Sequence, residues 1–293
     1  MDEFSIKPDP TDPRLVRRVS GIDHTGAMTE ISVPMERPLT LFLNGQEIVT
    51  MMTIGDFPDY LAVGYLLNQN MLFADDAIRA IDYEEDIDTV VVRTKRRTNY
   101  EAKLRKKTLT SGCAQGTVFG DMMDKLEGVE LDRDAIVRTS WLYALSRKIN
   151  AQPSIYLEAG AIHGCVLCHE DTPLVYMEDV GRHNAVDKIA GYMFLERMPP
   201  QGKMFYTTGR LTSEMVIKCV QMRIPILISR SGFTASGVEL AGQTGLTLIG
   251  RARGNRFVIV AGAERVVHDA DPRTVPEESS RVQRKASFAE DVG

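Results

Sequence analysis

The second half of the chain alternates short apolar runs with amphipathic segments, and this alternation constrains the fold more than any other feature. Apolar runs at 203–207, 226–229 and 246–250 predict strands, and segments with helical spacing separate them. Strands that alternate with helices predict an α/β layer fold with a partly parallel sheet. Ligands of such sheets bind beyond the carboxyl ends of the strands, so we expect the functional site there. The other elements predicted in this region are helices at Arg182–Glu196, Thr212–Met222 and Ala235–Ala241 and a last strand at Arg256–Val260.

A smaller α+β unit is predicted upstream. Asn44-Gly45 stands between two strand-like runs and is the strongest short hairpin signal of the chain. A helix follows, with Asp56 expected as its N-cap and Pro58 in its first turn. Two more strands are predicted at Ile78–Tyr83 and Thr89–Thr94.

These segments divide the chain into four predicted parts. The parts are a flexible tail at 1–20, a small α+β domain at 21–107, an α/β domain with a cysteine loop at 108–268 and a charged tail at 269–293. Within the α/β domain we also expect a helix at Asp132–Asn150 and a hairpin with strands at 159–167 and 174–177.

Charge and hydropathy exclude several classes of function. The formal net charge of −5 argues against a general nucleic-acid binder, although it leaves room for a local basic pocket for a phosphorylated ligand. No apolar run approaches the ~20 residues that span a bilayer, and the acidic N-terminus is unlike a signal peptide. Four cysteines in 293 residues are too few for a disulfide framework. We therefore expect a cytoplasmic protein.

Cys113 is the candidate nucleophile. Gly112, Ala114 and Gly116 surround it, which predicts an accessible loop, and a cluster of cations lies just upstream at 103–107. Cations near a thiol favour the nucleophilic thiolate. An ordinary loop cysteine is the alternative.

Three strand–turn–helix junctions carry polar side chains suited to binding anions. Glycine turns and free N–H groups at helix N-termini favour anions, and arginine adds a cation. The candidate residues are Arg182 and His183 in the junction at 178–188, Arg210 in the junction at 207–214 and Ser229 in the junction at 229–235. Capping and salt bridging are the structural alternative for each junction. Because the junctions follow successive strand ends, we expect them to face one crevice.

An arginine-rich turn follows the strand at 246–250. Arg251, Arg253 and Arg256 surround Gly254-Asn255 and could clamp a phosphate. A solvated hairpin turn is the alternative, and the residues alone favour it.

The segment from His163 to His169 has a metal-like spacing, with Cys165 and Cys168 between the two histidines. Cys-Val-Leu-Cys-His also matches the attachment pattern of c-type haem, which forms outside the cytoplasm. Strand alternation sends the two sulfurs to opposite faces, which favours structural thiols over a metal centre. Cys219 is expected in the core.

Several of these segments together resemble the FdhD family of formate dehydrogenase accessory sulfurtransferases, over about residues 30–260. The matching stretches are Arg37-Pro38-Leu39 with the Asn-Gly hairpin, Thr110-Ser111-Gly112-Cys113, Gly160 with His163, the run Glu178–Lys188, Thr208-Gly209-Arg210 with Ser213-Glu214-Met215, and Gly245–Gly250. The run from Glu178 to Lys188 is the most specific of them.

The resemblance implies a fold and a function. It implies an α/β fold in which a cytidine-deaminase-like three-layer C-terminal domain follows a smaller α+β N-terminal domain. A cysteine desulfurase would pass sulfur to Cys113 as a persulfide. The chain would then pass it to the bis(guanine dinucleotide) molybdenum cofactor of the formate dehydrogenase catalytic subunit. The cofactor-binding residues implied are Arg251, Ala252, Arg253, Gly254, Asn255 and Arg256, together with Arg182, His183, Arg210 and Ser229. The family suggests a homodimer, and no tightly bound metal is expected.

The chain departs from the family pattern at Gly116, where many members carry a second loop cysteine. A non-catalytic chaperone that binds the molybdenum cofactor for formate dehydrogenase is therefore the alternative function. The zinc deaminase signature is also absent, because Gly164 and Cys165 follow His163. A deaminase-like fold therefore does not imply deaminase chemistry.

Overall fold

Two β-sheets, each with its own apolar core, organise the part of the chain that the computed structural model describes, residues 4–96, 126 and 128–276. The strands are β1 (Val16–Ile22), β2 (Met28–Pro34), β3 (Arg37–Leu43), β4 (Gln46–Thr53), β5 (Ile78–Glu84), β6 (Thr89–Thr94), β7 (Val137–Arg138), β8 (His163–His169), β9 (Thr172–Asp179), β10 (Lys203–Thr207), β11 (Ile226–Ser229), β12 (Thr247–Arg253), β13 (Arg256–Ala261) and β14 (Val266–Val267). The α-helices are α1 (Pro58–Asn68), α2 (Thr139–Asn150), α3 (Ile155–Glu158), α4 (Arg182–Leu195), α5 (Ser213–Gln221) and α6 (Ala235–Thr244).

The smaller sheet has the strand order β4-β3-β6-β5, and α1 covers one of its faces. Leu39, Leu41 and Leu43 alternate toward this core, as the period of a strand requires. The predicted hairpin is confirmed, with Asn44 in the left-handed region at φ 57°. The prediction of Asp56 as N-cap is wrong. Phe57 occupies that position without a side-chain cap, because Asp56 turns toward Lys188 instead.

The larger sheet has six strands in the order β13-β12-β11-β10-β8-β9. β10, β11 and β12 are parallel to one another, whereas β8 is antiparallel to both of its neighbours. Helices α4, α5 and α6 share an apolar core with one face, and α2 packs on the other. The predicted mixed α/β class is confirmed. The carboxyl ends of β9, β10, β11 and β12 and the start of β8 therefore lie along one edge, which we call the carboxyl edge.

The helix predicted at Asp132–Asn150 begins seven residues later, at Thr139. Val137 is fully buried and pairs in parallel with Val266 of β14, so the chain is extended there rather than helical. The carboxylate of Asp269 accepts hydrogen bonds from the Ser140 N–H at 3.0 Å and from the Thr139 hydroxyl at 3.1 Å. A carboxylate from a distant loop thus caps this helix, which local sequence could not indicate.

The prediction of a flexible tail at 1–20 is wrong for its described residues, 4–20. Phe4 is buried against the larger sheet, where its ring lies 5.8 Å from that of Tyr176. Ile6 forms a β-bridge with Val175, and β1 begins at Val16. Apolar residues scattered among proline and aspartate thus cover the open edge of β9.

Some predictions fall outside the described residues. These are Cys113 and its loop, the cations at 103–107, the domain boundary at 107/108 and residues 277–293 of the charged tail. Within the described ranges, every helix is too short or too polar to cross a lipid bilayer.

The two sheets are joined where α1 crosses α4 through a pair of glycines. A Cβ added to Gly64 would lie 1.7 Å from the carbonyl oxygen of Asp187, and one added to Gly191 would lie 1.9 Å from that of Tyr60. Only residues without a side chain allow this approach. The small unit is therefore held directly against the helix whose first residues belong to the candidate site.

Candidate functional site

The three predicted junctions lie on the carboxyl edge, and hydrogen bonds join the loops after β10, β11 and β12 to one another and to the start of β8. The Thr208 N–H donates to the Gly164 carbonyl at 2.9 Å, which joins β10 to the start of β8. The Ser229 hydroxyl donates to the Gly209 carbonyl at 2.6 Å. The Arg251 N–H donates to the Ser231 carbonyl at 2.8 Å. The expectation of one shared edge is therefore met along β8, β10, β11 and β12.

Much of the junction at 178–188 is structural support. The buried ammonium of Lys188 contacts Asp179 at 2.6 Å and also pairs with Asp56 of the small unit. The second oxygen of Asp179 accepts from the Gly181 N–H at 3.0 Å and from the Asn184 amide at 2.9 Å. Although burial opposes it, the two carboxylates hold the pKa of Lys188 above its ordinary value. This network fixes the turn at Gly181 and the start of α4.

Two further acids of the same junction are also engaged. Glu178 accepts from the N–H groups of Ile155 and Tyr156 at 2.8 and 2.7 Å, at the start of α3. Burial raises the pKa of Glu178 to about 7, against the opposing effect of these donors. Asp187 binds Lys218 of α5 at 2.8 Å and the Asn68 amide of α1 at 2.6 Å. Both carboxyl groups thus hold neighbouring elements together.

Arg182 and His183 remain as the residues of this junction that lie at the carboxyl edge. The side chain of Arg182 packs against Gly209, where an added Cβ would lie 3.2 Å from the Arg182 Cβ. His183 Nε2 lies 3.1 Å from a carboxylate oxygen of Glu214, the second residue of α5. Burial is the main reason that the pKa of His183 is lowered, while Glu214 opposes the shift. A neutral imidazole is therefore favoured in the absence of a ligand.

His163 belongs to the same group. It is the first residue of β8, and burial lowers the pKa of its ring, with Arg182, His183 and Arg210 adding to the effect. Arg210 is exposed in the loop that leads to α5. The structure thus brings two arginines and two histidines together around the ends of β8 and β10.

Ser229 and its neighbour Arg230 connect the junctions. Ser229 is fully buried, and its hydroxyl accepts from the Ser231 N–H at 2.9 Å while donating to Gly209. Arg230, 8% exposed, bonds the side chain of Asn150, and its carbonyl accepts from Arg253 Nε at 3.3 Å. Ser229 is therefore placed to shape the edge, with both hydrogen-bonding roles of its hydroxyl engaged.

The segment 251–256 is the β12–β13 hairpin, as the local interpretation expected. Arg251, Arg253 and Arg256 are exposed, whereas Ala252 is buried in the core. Arg251 has a left-handed φ of 56° beside a register shift of β12, and its guanidinium lies 5.7 Å from the centroid of the Phe233 ring. Gly254 and Asn255 form the turn. We call this segment the arginine hairpin; its three cations lie at the same edge as the junction loops.

Three cysteines, Cys165, Cys168 and Cys219, are buried, and we call them the buried cysteines. Cys165 packs on the α4 and α5 side of the larger sheet and Cys168 on the α2 side, so the prediction of opposite faces is confirmed. Burial raises the pKa of Cys165 to about 12. This geometry contradicts the alternative of a metal centre built on both sulfurs. The described part of the chain contains no cluster of three or more histidine, cysteine or acidic side chains that could hold a metal.

Three contributors to the site and its support are not indicated by the local sequence. Glu214 stands in a pattern typical of a capped helix start, although its carboxylate meets His183 across two helices. Arg230 follows Ser229 without a signal of its own. Asp56 is predicted as the cap of its own helix, whereas it pairs with Lys188. A charged residue inside an apolar run is a signal that could have found Lys188 and its partners, because a buried charge requires a partner.

Comparison with known proteins gives a consistent result. A model of the FdhD/NarQ family matches residues 34–267. The sulfur carrier protein FdhD of Wolinella succinogenes is 32% identical over 247 residues, which cover 82% of this chain and 84% of that protein. The sulfur carrier protein FdhD of Bacillus pumilus is 27% identical over 233 residues, covering 79% and 88% respectively.

A solved structure is also similar. It is the crystal structure of a protein described as a formate dehydrogenase accessory protein from Desulfotalea psychrophila. The TM-score is 0.69 at 28% identity, and the match covers 86% of this chain and 99% of that one.

Proposed function

The chain belongs to the FdhD/NarQ family, and on that premise we propose that it is a sulfurtransferase that supplies the molybdenum cofactor of a formate dehydrogenase with sulfur. A cysteine desulfurase is the donor, Cys113 carries the sulfur as a persulfide, and the bis(guanine dinucleotide) molybdenum cofactor is the acceptor. The relatives' name, sulfur carrier protein, supports the general role. The similar solved structure is that of a protein described as a formate dehydrogenase accessory protein, which supports a formate dehydrogenase as the client.

The observation that carries the proposal is the concentration of cations on the carboxyl edge. Arg182, Arg210 and the arginine hairpin lie along adjoining strand ends, and α4 and α5 begin there. A guanine dinucleotide carries pyrophosphate groups, which arginine and helix N-termini bind well. The backbone of Gly254 and Asn255 lets the ligand approach between Arg253 and Arg256. Ala252 contributes through its backbone, because its side chain is buried.

The chemistry assigned to Cys113 follows from thiol–disulfide exchange. Its thiolate attacks the outer sulfur of the donor persulfide, a new S–S bond forms, and the donor leaves as a thiolate. The S–S bond of the Cys113 persulfide would then break, and Cys113 would be recovered as a thiolate. The outer sulfur would leave as a neutral atom to a reduced cofactor, whose metal would supply the two electrons that convert it to sulfide. The cations at 103–107 favour the thiolate form of Cys113. The buried cysteines are unsuited to this role, because burial disfavours their thiolates.

The finer architectural and cellular assignments belong to the same proposal. The three layers around the six-stranded sheet, with one antiparallel strand inside it, support a cytidine-deaminase-like arrangement of the C-terminal domain. The proposed setting is a cytoplasmic homodimer that meets a cysteine desulfurase and the formate dehydrogenase catalytic subunit in turn.

The proposal is tested by incubating the protein with a cysteine desulfurase and cysteine and then weighing its tryptic peptides. We expect the peptide that contains Cys113 to gain the mass of one sulfur atom, and Cys113→Ala to abolish both this gain and the activation of formate dehydrogenase. Cys219→Ala is the matched control, since it removes a buried thiol and should leave both intact.

The alternative function, a chaperone that binds the cofactor without carrying sulfur, predicts a different pattern. In that case Cys113 gains no sulfur and Cys113→Ala still activates formate dehydrogenase, while guanine-nucleotide binding is retained. Replacing Arg253 and Arg256 by alanine should weaken the binding of guanosine diphosphate. Unchanged affinity would locate the phosphates away from the arginine hairpin.

A further inference from the structure

A cavity of about 320 Å³ lies between the N-terminal segment and the small unit. Residues from the segment 7–15 form one side and residues 55–58 form a second, while Arg37, Tyr83 and Glu85 complete the lining. Ligand pockets in proteins hold about 300 to 1,000 Å³, so this cavity suits a small molecule. We call it the N-terminal cavity. Its lining is distinct from the residues assigned to the nucleotide.

The charged side chains that the N-terminal segment brings to the cavity are largely engaged with one another. Asp12 accepts a hydrogen bond from Arg14 Nε at 3.1 Å and pairs with Arg14 Nη2 at 2.7 Å. Asp9 accepts from the N–H and the hydroxyl of Thr11, at 2.8 and 2.7 Å. These groups therefore stabilise the shape of the segment itself.

Asp56 carries a buried charge that the protein compensates only in part. Its side chain is 10% exposed, and one carboxylate oxygen pairs with Lys188, whereas the other has no hydrogen-bond partner among the residues the structure describes. Lys188 also pairs with Asp179 at 2.6 Å, so one ammonium group serves two carboxylates. Burial raises the pKa of Asp56, and Lys188 opposes that shift. Because an uncompensated buried charge is costly, a cation in the cavity would stabilise the charged form of Asp56.

The backbone on either side of Asp56 turns the carboxylate away from the start of α1. Gly55 and Phe57 both have left-handed conformations, with φ of 90° and 47°. This region is unfavourable for a residue with a Cβ such as Phe57, which takes the N-cap position that Asp56 would otherwise fill. Strained residues of this kind are found where function requires a side chain in a particular place. Here the result is a carboxylate in the wall of the cavity.

Arg37 brings a cation to the same cavity. Its side chain passes over Gly55, where an added Cβ would lie 2.6 Å from the Arg37 Cδ. The guanidinium donates to the Arg14 carbonyl at 3.3 Å and lies 3.8 Å from the carboxylate of Asp88, and 28% of the side chain is exposed. A guanidinium has five N–H donors, so several remain available to a ligand. Arg37 and Asp56 therefore border one cavity with opposite charges, and each pairs with a different residue instead of with the other.

We propose that the N-terminal cavity binds a free α-amino acid with an apolar side chain. The ammonium group of the ligand pairs with Asp56, and its carboxylate pairs with Arg37. The two charges of an amino acid are attached to the same carbon atom, and the two protein groups both lie beside Gly55. Four apolar residues of the lining are available to contact the side chain of the ligand, namely Pro8, Leu15, Phe57 and Pro58. This activity goes beyond the proposed function and does not depend on it.

Equilibrium dialysis with L-leucine tests the site, because leucine carries both charges and an apolar side chain. Two analogues each lack one charge: L-leucinamide has no carboxylate, and 4-methylpentanoate has no ammonium group. At about pH 6.5, where the α-amino group is charged, each analogue should bind at least about tenfold more weakly than leucine, the usual effect of losing a hydrogen bond between charged groups. The inference is overturned if leucine does not bind, or if either analogue binds as tightly as leucine.

Two variants assign the charges to their residues. Arg37→Gln should weaken leucine binding at least about tenfold and leave leucinamide binding unchanged, since the amide makes no use of the guanidinium. Asp56→Asn should weaken the binding of both ligands. Because Asp56 also pairs with Lys188, Arg37→Gln keeps the inference testable if Asp56→Asn fails to fold.

Arg79→Gln is the matched control, since Arg79 is an exposed arginine on β5 of the same small sheet. The inference is overturned if Arg37→Gln binds leucine as tightly as Arg79→Gln, or if Arg37→Gln weakens leucinamide binding as much as leucine binding. Both arginine variants should bind guanosine diphosphate as the wild type does. Failure of the proposed function is distinguishable, because the wild type would then carry no persulfide on Cys113 while leucine binding remained.

Discussion

Replacing Lys188 by methionine should destabilise the fold strongly, because it removes the ammonium that pairs with two buried carboxylates. The Lys188 side chain is fully buried, and it lies 2.6 Å from Asp179 and in contact with Asp56. Removing one member of a buried ion pair costs about 3 to 5 kcal/mol, since the charge left behind is desolvated. A domain is typically stable by about 5 to 15 kcal/mol, so this one side chain accounts for a large share of the stability.

The free energy of unfolding in urea at pH 7 measures the effect. Lys148→Met is the matched control, because Lys148 pairs with Asp171 at 3.2 Å where both side chains are partly exposed. Such a pair contributes less than about 1 kcal/mol. The reasoning is refuted if Lys188→Met loses no more stability than Lys148→Met.

The pH dependence of the same variant gives a second check. Burial already raises the pKa of Asp56, and Lys188 opposes that effect, so without the ammonium the pKa of Asp56 would rise further above that of the unfolded chain. A carboxyl group whose pKa is raised by folding destabilises the fold as the pH rises through that pKa. The deficit of Lys188→Met relative to the wild type should therefore shrink as the pH is lowered from 7 toward 4. A deficit that grows over this range would contradict the assignment of buried carboxylates.

Three further outcomes are expected. Gly64→Ala should lower the free energy of unfolding by about 2 kcal/mol or more, because its Cβ would overlap the carbonyl oxygen of Asp187 in α4. Gly242→Ala is the control: it adds a Cβ in open space on a helix and should raise the free energy of unfolding by about 0.5 kcal/mol. The wild type should lose up to about 3 kcal/mol of stability between pH 4.5 and 7, because folding raises the pKa of Glu178 to about 7. Glu178→Gln should remove that loss, and an unchanged pH profile of unfolding would contradict it. A thiol reagent applied to the native protein should label Cys113 and none of the buried cysteines, whereas unfolding should expose all four thiols. Mass spectrometry of the labelled peptides shows which cysteines have reacted.

The fold was predictable from sequence where local pattern determines it. The strands Lys203–Thr207, Ile226–Ser229 and Thr89–Thr94 match their predicted bounds, because each is a short apolar run between turn signals. The start of α2 was not predictable, because its cap is Asp269, a residue 130 positions from Thr139. The junction motifs do not indicate which loops are neighbours, because that depends on the order of the strands in the sheet.

The candidate site was predictable in position but not in the roles of its residues. The run at 178–188 is dense in polar groups, and density alone suggested a functional cluster. In the structure, Asn184, Lys188 and Gly191 follow one face of α4, with the spacing that helical geometry gives to neighbouring turns. That face meets the small unit, and its contacts reach far along the chain: Asn68 bonds Asp187 across 119 positions, and Thr53 bonds Asp179 across 126.

Those contacts explain why so many polar residues stand together in this run. A charged residue at the interface between two packed units is tolerated only if the other unit provides its partner. The supporting residues must therefore be polar for structural reasons, and they must lie beside the helix start that they hold in place. Arg182 and His183 precede the supporting face and lie at the carboxyl edge, where a ligand can meet them. A motif of this kind is recognisable because support and binding are adjacent in sequence. Substitutions such as Lys188→Met should weaken guanosine diphosphate binding by displacing the helix start, without removing any group that touches the nucleotide.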